Sequence, residues 1–317
     1  MKTKIFFATD IHGSERCFIK FVNAGKVYKA DVLILGGDIT GKALVPIIKT
    51  ANNTFHTIFL GEEYTLNSQK ELETLEKKIR TIGYYPYVTT KEEYEDLRNN
   101  PEKFSHIFEE VACESVKRWV KIAEEKLKPL GIKCFISPGN DDIYAIDEIL
   151  KNSDYIICPE GEVVYLDEKH EMISCGNSNI TPWKCPRDIS EEEIYSKIEK
   201  MVNKVDNIKK CVFNIHVPPY GTNIDLAPEL DKNLRPILQP GGGVRLVPVG
   251  SKAVRKTIEE YQPLLGLHGH IHESKGFSKI GSTLCVNPGS EYTEGILRGF
   301  LALITEKGIK DFIFTSG

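Results

Sequence analysis

The 317-residue sequence predicts an α/β fold with a largely parallel core, on two observations. Short apolar runs of strand length, rich in β-branched residues, alternate along the chain with amphipathic segments of helical period. The early runs are also continuous rather than alternating, as expected of strands covered on both faces. In order, the runs are Lys4 to Ala8, Val32 to Leu35, Thr57 to Leu60, Ile132 to Ser137, Met172 to Ser174, Val212 to Ile215 and Leu264 to Leu267.

Two stretches interrupt this order. Between Gly61 and Gly131 the chain is rich in Glu, Lys, Leu and Tyr. Helical periodicity covers Ser68 to Ile82 and Glu102 to Leu127, broken at Pro86 and Pro101. We read residues 61–131 as a helical insertion, a cap or dimer arm on a single domain spanning 1–317. Residues 218–250 are rich in Pro and Gly and lack periodicity. A long irregular loop that starts just after His216 reads as an active-site wall. Near the C-terminus, the runs Gly276 to Ile280, Thr283 to Asn287, Phe300 to Ile304 and Ile309 to Phe314 predict an antiparallel meander closing a second sheet.

Composition narrows the function classes. With 41% hydrophobic and 27% charged residues the chain has an ordinary globular make-up, and its formal charge of −4 carries no general basic footprint for nucleic acid or anionic membrane. The eight cysteines are scattered without a Cys-x-x-Cys pair and read as buried, reduced thiols. No apolar stretch has membrane-spanning length and no signal-peptide architecture opens the chain, so a cytoplasmic location is expected.

The chemistry lies in polar motifs that follow the apolar runs: Asp10-x-His12, Gly37-Asp38, Gly139-Asn140-Asp141-Asp142, His216, and Gly269-His270-x-His272. Alone, each is a turn, a helix cap or a satisfied histidine. Together they are an oxygen and imidazole donor set without thiolates, which suits two divalent ions in a hydrolytic site better than structural zinc. Loops beyond the carboxyl ends of strands in an open α/β sheet can converge on one site. Asp10 and His12 stand two apart at a strand exit, where a side-chain period of two aims both the same way. Asp38 is the expected bridging carboxylate, and Asn140 a neutral amide oxygen that keeps the site's positive charge high.

In this ordered set, from Asp10 to His272, the chain resembles the calcineurin-like metallophosphoesterase superfamily. The segment from Gly250 to His272 and the run Asn287-Pro-Gly-Ser290 are similar to uncharacterised prokaryotic members of it. The resemblance implies a four-layer αββα sandwich of two mixed sheets. It implies one metal held by Asp10, His12, Asp38 and His272, another by Asp38, Asn140, His216 and His270, and a bridging water or hydroxide as nucleophile. Manganese is favoured among manganese, iron, zinc, nickel and magnesium.

The chain departs from the family at Asp141, where many members carry the histidine of Gly-Asn-His-Asp or Gly-Asn-His-Glu, thought to protonate the leaving oxygen. A carboxylate beside two dications is ionised and donates a proton poorly. The expectation is therefore a phosphodiesterase acting on activated leaving groups. The alternatives are a second donor (His268 or His56), a monoester phosphatase or nuclease on the same site, and a weakly catalytic interaction scaffold. His268 also reads as a histidine that orients a ligand, and Asp142 as the cap of a helix from Ile143 to Leu150. The expected partner is a small phosphorylated substrate, nucleotides included. Nucleic acid stays open, and a homodimer through the insertion is a further expectation. Lys252, Arg255 and Lys256 near Ser251, and Gly241-Gly-Gly243 with Arg245, read as a solvated helix face and a turn before they read as phosphate sites. Pro218-Pro-Tyr220-Gly221 reads as a rigid turn before a base-stacking element.

Overall fold

The computed structural model describes residues 2–317. Its order begins β1 (Lys2–Ala8), α1 (Glu15–Tyr28), β2 (Val32–Gly36), then β3 (Leu44–Lys49), β4 (Phe55–Phe59), β5 (Glu62–Leu66), α2 (Gln69–Thr81), β6 (Tyr85–Thr89), α3 (Lys91–Asn99) and α4 (Pro101–Leu127). It continues with β7 (Lys133–Ser137), α5 (Ile146–Lys151), β8 (Val163–Tyr165), β9 (Glu171–Cys175), β10 (Ser178–Asn179), β11 (Asp188–Ile189), α6 (Glu191–Val202) and β12 (Val212–Ile215). It ends with β13 (Leu226–Pro228), β14 (Leu246–Pro248), α7 (Lys252–Tyr261), β15 (Leu265–Leu267), β16 (Gly276–Ile280), β17 (Thr283–Asn287), β18 (Arg298–Thr305) and β19 (Gly308–Ser316).

Two mixed sheets face each other. The first has the order β19-β18-β1-β2-β7 and the second β16-β17-β15-β12-β9-β8. Their parallel centres are β1-β2-β7 and β9-β12-β15-β17, with antiparallel strands at the edges. The period of two explains the layering. Ile5, Phe7, Val32, Ile34 and Phe135 point inward and meet Met172, Val212, Leu265, Leu267 and Val286 of the other sheet. Their neighbours Phe6, Ala8, Leu33, Leu35 and Ile136 point outward onto α1, α4 and α5. Ile173, Phe213 and Ile215 likewise point out onto Ile194, Ile198, Val254 and Ile258 of α6 and α7. The result is the expected four-layer αββα sandwich.

Three boundaries differ from the sequence reading. Residues 61–131 are not helical throughout, because β5 and β6 join β3 and β4 in a separate sheet of order β5-β4-β3-β6. Its inner face of Val45, Ile47, Phe55 and Phe59 closes on Leu72, Leu75 and Ile79 of α2. The long α4 instead seats Val116, Trp119, Ala123 and Leu127 in the main core, with Trp119 stacked on Phe18 at 4.4 Å between ring centroids. Residues 218–250 carry a short antiparallel ribbon, β13 with β14, around an exposed glycine tip. The C-terminal runs form two hairpins in different sheets: β16-β17 extends the second sheet, while β18-β19 crosses to pair with β1. Local periodicity marks a strand but carries no information about its partner. Among the described residues, no helix is long and apolar enough to cross a membrane.

Candidate metal centre

Five loops leave the strand ends and lock together through the backbone. Asp10 N donates to Gly37 O at 3.0 Å, and His12 N to Asp38 O at 2.9 Å. His216 N donates to Cys175 O and Gly269 N to His216 O, both at 2.9 Å. The carboxylate of Asp10 accepts from His270 N at 3.1 Å. Gly139 has no room for a Cβ, which would overlap Asp38. Asp10, His12, Asp38 and His270 all adopt positive φ, of 53°, 37°, 50° and 67°. Left-handed backbone is uncommon outside glycine, and its concentration on four candidate ligands marks a functional site. The strand-exit argument for Asp10 and His12 thus needs correction. They lie beyond the end of β1 at Ala8, and the left-handed turns aim them.

The side chains converge in groups that could hold a metal ion: Asp10, His12 and His272; Asp38, His216 and His270; and His12, Asp38 and Asp141. His12 Nε2 lies 3.1 Å from His272 Nε2 and 3.6 Å from Asp38 Oδ2. His272 Nε2 is 3.5 Å from Asp10 Oδ1, and His216 Nε2 is 3.4 Å from Asp38 Oδ1. Donor atoms around an ion at about 2.1 Å stand about 3.0–3.4 Å apart in octahedral or tetrahedral geometry. The observed spacings are close to that range.

Three atoms of the candidate ligands are buried without a hydrogen-bond partner, His12 Nδ1, Asn140 Oδ1 and His216 Nε2, and the last two fit a cation. Asn140 donates its amide N–H to Asp188 at 2.9 Å, leaving Oδ1 unpartnered. His216 pairs Nδ1 with Gly36 O at 3.0 Å, leaving Nε2 unpartnered. An unpaired buried polar atom is costly, and a ligand role accounts for both. The electrostatics divide the candidate ligands. Burial alone would raise Asp10, yet its hydrogen bond to His272 and the facing imidazoles hold it at about 2. Asp38 is likewise held well below its usual range, chiefly by His216 against the penalty of burial. Burial opposes a charge on His216, but Asp38 and Asp10 pull it up to about 10, so without a cation the ring is protonated and a bound metal would have to displace its Nε2 proton. Burial keeps His12 and His270 neutral, at about 3 and about 4, which suits metal ligation.

Asp141 lies at the mouth of this cluster. Its backbone N–H donates to Asp38 Oδ1 at 3.0 Å, and Oδ2 stands 3.9 Å from His12 Nδ1. Burial raises its pKa, and Asp38 raises it further against the opposing charge of Lys42. Lys42 Nζ is 3.1 Å from Asp141 Oδ2, a pairing the sequence reading missed because the two residues are far apart in the chain. The reading of His268 as a proton donor is corrected. Its ring is fully buried, burial lowers its pKa to about 4, and the one proton of the neutral ring is committed on Nδ1 to Ile215 O at 2.8 Å. His56 pairs with Thr65 on the separate sheet, outside the cluster.

Asp142 is not a helix cap either. The helix starts at Ile146, and the buried carboxylate accepts from Gly139 N at 2.7 Å, Ile39 N at 3.0 Å, Thr40 N at 2.7 Å and Thr40 Oγ1 at 2.5 Å. It fastens the loop carrying Asp38 to the loop carrying Asn140. Asn287 does similar work, donating to Gly269 O at 3.2 Å and Ile271 O at 2.9 Å. The start of α7 is closed to phosphate, because Glu191 already accepts from Lys252 N, Ala253 N and the Ser251 hydroxyl. Arg245 pairs with Glu229.

No family model matches the chain. It is similar to the uncharacterized protein MJ1162 of Methanocaldococcus jannaschii, at 33% identity over 184 residues, which is 56% of this chain and 75% of that protein. Among solved structures it is similar to TT1561 of Thermus thermophilus, at 13% identity with a TM-score of 0.56 over 99% of both chains. A second solved structure aligns at 17% identity with a TM-score of 0.58, also over 99% of both chains. At these identities the structural likeness concerns the fold.

Proposed function

The chain belongs to one family with the archaeal protein MJ1162, and we propose that in this chain the fold carries a dinuclear, metal-dependent phosphoesterase. The reading rests on the convergence of Asp10, His12, Asp38, His216, His270 and His272 into adjoining groups, with Asn140 Oδ1 and His216 Nε2 buried and unpartnered. Asp10, His12, Asp38 and His272 would hold one divalent cation; Asp38, Asn140, His216 and His270 would hold the other. Cations bound there supply Lewis acidity to a phosphoryl oxygen and lower the pKa of an attacking water.

The chain's own part is to hold these donors in one geometry. Gly36 O would fix the His216 tautomer, Asp188 holds the Asn140 amide N–H and leaves its oxygen free for a cation, and the interlocked loop backbones keep the carboxylates from spreading. Small phosphodiesters with good leaving groups, nucleotides among them, are the substrates we favour over monoesters. Asp141 is paired to a cation rather than poised to donate a proton.

The test is Asp38→Ala, with metal content measured alongside turnover on aryl mono- and diesters, nucleotides and cyclic nucleotides in manganese. Loss of both metal and turnover supports the centre. Wild-type turnover retained by the variant would overturn it, and faster monoester than diester cleavage by the wild type would overturn the substrate preference.

A further inference from the structure

We propose that Lys42 is the cation that grips the phosphoryl group of the substrate, and that Asp141 is a positioning residue that aims it. This rests on the reading of the metal centre above.

The geometry fixes where the ammonium stands. Gly41 N donates to the Tyr85 hydroxyl at 2.7 Å, and Gly41 is packed so closely on Gly83 O that a Cβ there would overlap it. The backbone from which Lys42 springs is therefore immobilised. On the other side, the Asp141 backbone is tied to Asp38 Oδ1 at 3.0 Å. The carboxylate that receives Lys42 Nζ at 3.1 Å is thus referenced to the bridging carboxylate itself. His12, Asp38 and Asp141 lie within one group of candidate ligands, so the ammonium sits at its rim.

Exposure separates Lys42 and Asp141 from His12 and Asp38, while His272, at 28%, reaches the same surface as Asp141. The Lys42 side chain is 46% exposed and that of Asp141 30%, against 1% for His12 and 5% for Asp38. The ammonium is therefore open to solvent beside the buried donors. An ammonium has three N–H donors; Asp141 takes one and two remain for anionic oxygens. Asp141, 3.1 Å away, favours the charged form of the ammonium.

In hydrolysis a P–O bond forms to the oxygen of water while the P–O bond to the alcohol breaks. The attacking water loses a proton to solvent, and the departing alkoxide takes one from it. Negative charge grows on the oxygens around phosphorus, and a fixed ammonium stabilises that charge without reorganising. Lysine serves this role as a point charge and does not need the planar fork of arginine.

The experiment compares wild type, Lys42→Met, Lys42→Arg and Asp141→Asn, each loaded with manganese. Metal content, binding of inorganic phosphate by calorimetry, and kcat/KM on an aryl phosphodiester are measured. Lys42→Met is expected to keep its metal, weaken phosphate binding at least about tenfold and lower kcat/KM about 100-fold. Lys42→Arg should recover most of the phosphate affinity. Asp141→Asn removes a carboxylate that repels phosphate, so the weakening expected, about threefold, reports the lost aim of the ammonium, and phosphate binding tighter than wild type would overturn the positioning role. Wild-type phosphate affinity in metal-loaded Lys42→Met would overturn the assignment and leave the metal centre standing. A wild-type protein that takes up no metal and cleaves no ester would overturn both.

Discussion

Asp142 offers the sharpest test of how the fold builds its site. Its carboxylate is wholly buried and receives the backbone N–H groups of Gly139, Ile39 and Thr40, together with the Thr40 hydroxyl. Replacing it with alanine strands three buried backbone donors. Each unsatisfied donor costs about 1–3 kcal/mol. A water admitted to the vacated space recovers part of this, so Asp142→Ala should lose about 4 kcal/mol of stability. Asp142→Asn keeps the shape but turns an amide N–H against a backbone N–H, and should lose about 2 kcal/mol. Both are measured by urea denaturation of chelated protein, so that metal binding does not mask the change. The same variants should bind manganese more weakly in a direct titration, because the strap between the Asp38 and Asn140 loops has gone. If the chelated Asp142→Ala protein unfolds within about 1 kcal/mol of wild type and binds manganese as tightly, the strap argument is refuted.

Other tests probe the frame around the site. Glu160 is partly buried, accepts from Gly176 N at 2.8 Å, and loss of solvent around its carboxyl raises it from 4.5 to about 7. The folded state therefore holds a proton that the unfolded chain has released, and stability falls as pH rises from about 4.5 to about 7. Glu160→Gln should abolish that fall, worth up to about 3 kcal/mol at pH 8; parallel pH profiles for the two proteins would contradict it. Trp119→Ala should cost about 3–5 kcal/mol through the stack lost against Phe18, while Trp119→Phe costs far less because the indole N–H has no partner. A small loss in the alanine variant would show that α4 is not part of the main core.

Much of the site is legible in the sequence because metal chemistry restricts it to a few donor types, and because strand ends are marked by where apolar runs stop. Asp10, His12, Asp38, Asn140, His216, His270 and His272 can be picked out that way, and the structure brings the six carboxylate and imidazole residues into adjoining groups. Asp142 and Asp141 mislead for a common reason. A carboxylate next to a short helix looks like a cap, and one next to metals looks like an isolated anion, until its partners from distant loops are known. Lys42 carries no local signal at all. It is one lysine among many until the turn at Gly41 and the loop at Asp141 meet.

The same division holds for the fold. The run of buried-strand patterns and amphipathic spacers determined an α/β chain, and the ordered donors determined what that chain could bind. Tertiary structure alone decided that β17 and β18 enter different sheets, that α4 belongs to the core while β3 to β6 stand apart, and that Asp141 faces an ammonium. Periodicity reports which face of an element is covered. Which element covers it depends on contacts between residues far apart in the chain, and those exist only once the sandwich has closed.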